Sequence, residues 1–343
     1  MSLPFPPPLQ PMLAKLADEI PAGDEWLYEP KWDGFRAIVW CDPPEVVIHS
    51  RDRRDLKRYF PELPAPLADA LPAGSVVDCE IVIPSRHGLA FEALLLRIHP
   101  AESRVRLLAD DTPASVVVFD LLGLDRDLRP EPLTTRREML ESVLSAPVTS
   151  QELRDLATGR GRQVVVGPAT SDPHEAARWF TDLEALGLDG IVAKRLDSPY
   201  LPNKRGWVKV KHKRTADCVV GGYRLSKTKD GVGSLLLGLY QGDVLHYVGH
   251  TSSFKADERR ELLKLMEKHA GESSFTRGRA PGGPSRWAHD LATTWLPVTP
   301  DLVCEVAYDH LQGDRFRHAT TFLRWRPDKP PAECTFEQLG RPG

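Results

Sequence analysis

Residues 29–36 read Glu29-Pro30-Lys31-Trp32-Asp33-Gly34-Phe35-Arg36, and the next four, Ala37-Ile38-Val39-Trp40, are apolar. Gly34 supplies a turn, and Val, Ile and aromatic residues suit a pleated surface, so a strand is predicted over 35–40. Taken alone, a Lys, a spacer, an Asp and a Gly is a surface turn. Its weight comes from six further groups of residues, met in order along the chain. Ser50-Arg51 comes next; residues 76–82 (VVDCEIV) set Asp78 and Glu80 inside an otherwise apolar strand. Residues 117–122 (VVFDLL) end a second apolar run in Phe119 and Asp120, and 188–194 (LDGIVAK) carry Asp189 and Lys194. Residues 207–211 (WVKVK) alternate, so Lys209 and Lys211 share one face of a strand. Residues 322–329 (FLRWRPDK) close the series.

Further apolar runs predict strands at 45–49, 76–83, 115–119, 164–166 and 190–193. Helices are expected at 135–144, from the capping-box spacing of Thr135 and Glu138, and at 173–186, with Asp172 as N-cap, Pro173 in the first turn and Gly187 past the end. The Pro-rich first eleven residues read as an extended arm. After Lys211 the texture becomes short strands with Gly-containing turns, at 216–224, 234–240, 244–250 and 302–308, and one helix near 256–269. That pattern suggests a small β-barrel, so domains are expected at 1–211 and 212–343.

With 343 residues, 41% hydrophobic and 27% charged, the chain falls in the soluble globular class, and disorder or a fibrous architecture is excluded. No apolar run approaches the roughly 20 residues of a membrane span, and no basic segment followed by an apolar stretch marks a signal peptide. Five scattered cysteines without a CxxC pair argue for a reducing cytoplasm, against a disulfide framework and against structural zinc. The net charge is only −3. Its distribution is uneven: nine basic residues and one acid, Asp217, lie between Lys204 and Lys229. Such a run is either a solvated face or a track for phosphates, and its place at the expected domain junction favours the track. His246 and His250 lie four apart on an expected strand, too far along it to share a metal.

The seven motifs in this order resemble those of the covalent nucleotidyltransferases, and specifically the ATP-dependent DNA ligases. The spelling of KWDGFR, SRDRRDL, GIVAKRLDSPY and WVKVK is similar to the small stand-alone bacterial type called ligase C, from about Pro11 to Thr335. The resemblance implies an α+β chain: a nucleotidyltransferase (ATP-grasp-like ligase) domain of packed antiparallel sheets and helices, followed by an OB-fold. It implies that Lys31 attacks the α-phosphate of ATP and becomes lysyl-AMP. A free lysine titrates near 10.4, so neighbouring cations and desolvation are needed to release its lone pair. Lys209 and Lys211 are then expected to hold the phosphate. Glu29 would bond the adenine amino group, Phe119 stack on the base and Val192 close its other face, with Lys194 in the same pocket. Arg36 and Glu80 match ribose contacts, and Arg51 a grip on nucleic-acid phosphate, joined by Lys204, Arg205, Lys227 and Lys229 on the basic track. Glu80 and Asp189 are the expected ligands for Mg²⁺ or Mn²⁺; the family more often has Glu where Asp189 stands. Arg324, Arg326, Asp328 and Lys329 match the last motif, with Arg324 at the nucleotide and the other three orienting departing pyrophosphate.

The expected substrate is nicked duplex DNA with 5′-phosphate and 3′-hydroxyl ends. The expected setting is DNA repair by a cytoplasmic, nucleoid-associated monomer, with repair or end-joining partners. Two rivals are an RNA ligase or mRNA-capping nucleotidyltransferase, separable by nucleotide preference, and a catalytically silent DNA-binding module. The last has no use for Lys31, Glu80, Lys209 and Lys211 together.

Overall fold

The apolar run after Gly34 becomes the strand Phe35–Asp42, buried on both faces. Ala37, Val39 and Cys41 enter one core with Leu63 and Leu67; Ile38 and Trp40 enter another with Tyr200 and Trp207. A strand covered twice reads as a continuous apolar run instead of an alternation. The computed structural model describes residues 3–144, 147–272, 274–275, 280–281 and 294–339. The chain divides into two compact units, Met1–His212 and Lys213–Gly343.

The first unit holds two sheets. One has five principal strands in the order Val164–Val166, Ser115–Leu124, Ser75–Val82, Phe35–Asp42, Glu45–Ser50. The other runs Leu13–Ala17, Arg205–Lys211, Gly190–Arg195, Trp26–Pro30. Both are antiparallel except for one parallel edge pair each. The apolar face of the second sheet (Tyr28, Ile191, Ala193) packs with Val82, Val117 and Val165 of the first.

Several boundaries move. The strand expected at 115–119 continues to Leu124, so Asp120 lies within it, its charge met in the core by Arg136 at 2.8 Å. The helix expected to start at Thr135 begins at Leu133, which puts Thr135 and Glu138 inside it and removes the expected capping box. A true capping box sits at Thr149 and Glu152, before the helix Ser150–Ala157. The next helix, Pro173–Asp182, has Asp172 accepting from the His174 N–H at 2.8 Å. It ends sooner than expected, with a tight turn at Glu184–Leu186 leading to Gly187. The Pro-rich arm is not free: Phe5, Leu9 and Met12 are buried.

In the second unit five antiparallel strands run Val244–Thr251, Val232–Gln241, Arg214–Leu225, Val303–Tyr308, Thr321–Trp325, beside the helix Ala256–Lys268. Among the described residues the sheet stays open: no ladder joins the two outer strands, and an isolated bridge between Thr251 and Thr320 is the contact there, so a closed barrel is not found. All five cysteines are buried free thiols. Cys218 faces Cys304 across neighbouring strands, and Cys334 shares their core. No described helix is long and apolar enough to cross a membrane.

Candidate active site

Lys31 follows the strand Trp26–Pro30 directly, and two backbone hydrogen bonds fix it against Asp189. The Lys31 N–H donates to the Gly190 carbonyl (2.8 Å), and the Asp189 N–H donates to the Lys31 carbonyl (2.9 Å). Gly190 allows this approach: its φ is +132°, and a Cβ there would stand 2.0 Å from the Val210 carbonyl oxygen. Lys211 pairs with Gly190, and Lys209 with Val192, on the adjoining strand. As a result Lys31 Nζ lies 3.0 Å, and Lys211 Nζ 2.8 Å, from the same Asp189 oxygen, which is sealed from solvent. Burial first, and then the charges of Lys211, Lys31 and Arg51, lower the Lys209 pKa. Lys31 and Lys211 thus meet on one carboxylate, with Lys209 and Arg51 near enough to act on each other, a cationic cluster able to receive a polyphosphate.

Arg36 and Glu80 are cross-strand partners. Glu80 accepts from the Gly34 N–H at 3.1 Å, and burial pushes its carboxyl up to about 7 against the opposing pull of Lys31 and Arg36. Arg36 turns instead to Asp78, which it grips through Nε at 3.0 Å and Nη2 at 2.6 Å, with its guanidinium 4.7 Å from the Trp207 ring. Burial opposes the Arg36 charge, but Asp78 outweighs it and holds the Arg36 pKa up.

Beside this cluster lies a buried pair, Glu29 and Lys194, 2.7 Å apart. Lys194 Nζ is also 4.5 Å from the Phe119 ring and 4.4 Å from Trp207. Burial raises the Glu29 pKa, while Lys194 and Arg137 pull it down. Phe119 packs edge-on to Trp207, with Val192 against the same cluster. Glu29 and Val192 are register partners on adjacent strands.

The structure therefore brings together Lys31, Asp189, Lys209 and Lys211, with Arg51 near enough to act on Lys209. It also gathers Glu29, Lys194, Phe119 and Val192 in one cluster, and Arg36 with Glu80. Of the basic run, Lys204 and Arg205 are exposed at the start of their strand, Lys211 pairs with Asp189, and Lys227 and Lys229 occupy an exposed turn of the second unit. In the second unit Arg324 pairs with Glu305 at 2.7 Å and Lys329 with Glu333 at 2.9 Å. Arg326 is gripped by Asp217 (2.9 Å) and Asp328 (2.9 Å), and this bond with Arg326 holds Asp328 down at about 2.

Sequence reasoning missed Asp78, Tyr200, Trp207, Arg137 and Asp217 as partners of these groups. Asp78 carried a readable signal, since it shares a strand face with Glu80 two residues on. Among the described residues no three His, Cys, Asp or Glu side chains converge as a metal cage. Glu80 and Asp189 are oxygen donors of the kind a hard divalent cation takes, and here Asp189 is paired with Lys31 and Lys211.

A lysine held on a buried carboxylate, two further lysines on a neighbouring strand, and a buried Phe119–Trp207 pair beside Lys194 have the make-up expected of a covalent nucleotidyltransferase site. A family model described as ATP dependent DNA ligase domain matches residues 11–211, and one described as ATP dependent DNA ligase C terminal region matches 228–329. The chain belongs to the ATP-dependent DNA ligase family. DNA ligase C1 of Mycolicibacterium smegmatis is 47% identical to it, across 100% of this chain and 97% of that protein. DNA ligase C of Mycobacterium tuberculosis is 45% identical, across 100% and 96%. A solved Lig E DNA ligase shares the fold, with a TM-score of 0.57 at 16% identity, covering 92% of this chain and 99% of that one.

Proposed function

We propose that this chain seals nicks in duplex DNA by way of Lys31. In the first step the Lys31 amine attacks the α-phosphorus of ATP; a P–N bond forms as the P–O bond to pyrophosphate breaks. In the second, a 5′-phosphate oxygen of the nick attacks that phosphorus, and the P–N bond breaks to restore the amine. In the third, the 3′-hydroxyl attacks the 5′-phosphorus, forming the phosphodiester and releasing AMP. Asp189 fixes Lys31 for the attack, and Lys209 and Lys211 stabilise charge on the transferring group. Glu29 accepts from the adenine amino group, Phe119 and Val192 enclose the base, and Arg36 and Glu80 meet the ribose. Glu80 and Asp189 would hold Mg²⁺ or Mn²⁺, which supplies charge neutralisation on the phosphates.

Arg51, Lys204, Arg205, Lys227 and Lys229 would carry DNA phosphates. Arg326, Asp328 and Lys329 on the OB-fold domain (212–343) would serve the adenylylating domain (1–211) in the first step only, orienting pyrophosphate. Relatives named as multifunctional non-homologous end joining proteins, 32% identical over 91% of this chain, support a repair setting. The working form would be a monomer, bound to the nucleoid in the cytoplasm.

The observation that carries this reading is the pair of ammonium groups, Lys31 and Lys211, on one Asp189 oxygen. The test is incubation with α-labelled ATP, GTP or NAD⁺ and divalent metal, followed by denaturation. Label from ATP alone, absent in Lys31→Ala, is expected. Equal labelling of Lys31→Ala would overturn the assignment of the nucleophile, and labelling from GTP would favour a capping-type enzyme.

A further inference from the structure

The family match begins at residue 11, and residues on both sides of that start pack into the cluster that holds Phe119 and Trp207. Phe5, Leu9 and Met12 are buried in the same cluster as Phe119, Trp207 and Tyr200, with Val192 packed against it. The arm lies on Gly123 of the Phe119 strand: a Cβ there would come within 2.5 Å of Pro4 and 3.3 Å of Phe5. Arg129, fixed by Asp127 at 2.6 Å, covers the Phe5 ring at 3.9 Å. The Asn203 N–H donates to the Pro11 carbonyl (3.2 Å), and the Leu13 N–H to that of Lys204 (2.8 Å), so the arm ends stitched to the 200–204 loop.

From the arm a relay of hydrogen bonds runs to Arg36. The Met12 N–H donates to the Tyr200 hydroxyl (2.9 Å), which donates to Asp78 Oδ2 (2.6 Å), the same oxygen that accepts from Arg36 Nη2 (2.6 Å). Tyr200 is fully buried, so its hydroxyl keeps its proton and the direction of the relay is fixed. Asp78 is satisfied only with both donors in place, and its orientation sets that of the guanidinium.

We propose that the arm, residues 3–12, together with Tyr200, is a strap that positions Arg36 and the Phe119–Val192 pair and so sets affinity for the adenosine half of ATP. The proposal rests on the adenosine-binding roles proposed for Arg36, Phe119 and Val192. Tyr200 touches no nucleotide; it is a positioning residue, and the arm acts through it and through the shared apolar cluster. The strap therefore controls binding of the nucleotide more than transfer of the phosphoryl group, because Lys31, Asp189, Lys209 and Lys211 stand outside the relay.

The test is steady-state sealing of nicked duplex DNA by the full chain with ATP and its 2′-deoxy and 3′-deoxy forms. Three variants are compared with the parent: Tyr200→Phe, which removes one oxygen, and Phe5→Ala and Leu9→Ala, which loosen the arm. Tyr200→Phe is expected to raise the KM for ATP about tenfold, the order of one buried hydrogen-bond partner lost, with kcat within about twofold of the parent. Preference for ATP over the deoxy forms should fall as Arg36 loses its fixed position. Phe5→Ala and Leu9→Ala should move KM the same way. An unchanged KM and preference in folded Tyr200→Phe would overturn the strap. So would a loss in kcat as large as the rise in KM, which marks a general folding defect. Failure of the underlying reading shows elsewhere, as label on Lys31→Ala, so the two failures are distinguishable.

Discussion

Replacing Lys194 by Met should separate what the buried pair does for stability from what it does for the nucleotide. Lys194 is 1% exposed and lies 2.7 Å from Glu29, which is buried as well, and the next cation, Arg137, stands 3.8 Å from Glu29. Removing one member of such a pair leaves an uncompensated charge, a loss of about 3–5 kcal/mol, at the low end here because Arg137 remains. For a unit of this size that is a fall of roughly 6–20 °C in Tm. The pH dependence carries the sharper signature. Burial raises the Glu29 pKa in the folded chain, and losing Lys194 removes a group that lowers it. The folded variant then binds a proton more tightly than the unfolded chain, and it gains stability as pH falls toward the ordinary carboxylate range. Urea unfolding of parent and Lys194→Met at pH 8 and pH 5 should show a deficit that shrinks on the acid side. Glu29→Gln combined with Lys194→Met should recover most of the stability while ATP labelling falls, because a neutral amide replaces the charged carboxylate acceptor. A deficit below about 1 kcal/mol, or one equal at both pH values, would refute the reasoning.

Arg326→Ala should abolish ATP labelling yet spare single-turnover sealing of a nick that already carries AMP; equal losses in both assays would remove its step-specific role. Asp217→Asn, which releases the Arg326 guanidinium from the strand Arg214–Leu225, should weaken labelling in the same selective way, read by the same two assays. Neutralising Lys227 and Lys229 together should reduce the slope of log K against log salt for nick binding by about 1.8, and an unchanged slope would take this turn out of the DNA footprint. Glu80 releases its proton near 7, so the metal concentration giving half-maximal labelling should fall as pH rises from 6 to 8. Asp189→Glu should keep much of the labelling and Asp189→Ala little; equal loss in both would tie Asp189 to packing alone.

The residues proposed for the chemistry were legible because each breaks a local rule. Glu80 and Asp189 are acids in or beside apolar strands, and Lys209 and Lys211 alternate where a buried strand would not. Their partners were hidden for the opposite reason. Tyr200 and Trp207 look like core; the Tyr200 hydroxyl is given meaning only by Asp78 and the Trp207 ring only by Arg36, over a hundred residues away. Within the basic run, sequence order does not show that Lys211 meets Asp189, a contact made by the strand register. The first strand, Leu13–Ala17, and the arm before it were also missed as part of the site. Their pairing partner is Arg205–Lys211, at the far end of the unit, and short-range patterns hold no trace of so distant a parallel contact.

The five thiols offer a clock that needs no added label. Each is fully enclosed, and burial holds each pKa above the ordinary thiol range, so an alkylating reagent can reach a sulfur only when the surrounding structure opens. Cys41 and Cys79 time the first unit, and Cys218, Cys304 and Cys334 the second. Mass spectrometry of partly alkylated protein, with and without ATP, would show which unit a bound nucleotide quiets. The sulfurs of the other unit, left to breathe at their own rate, serve as the internal reference.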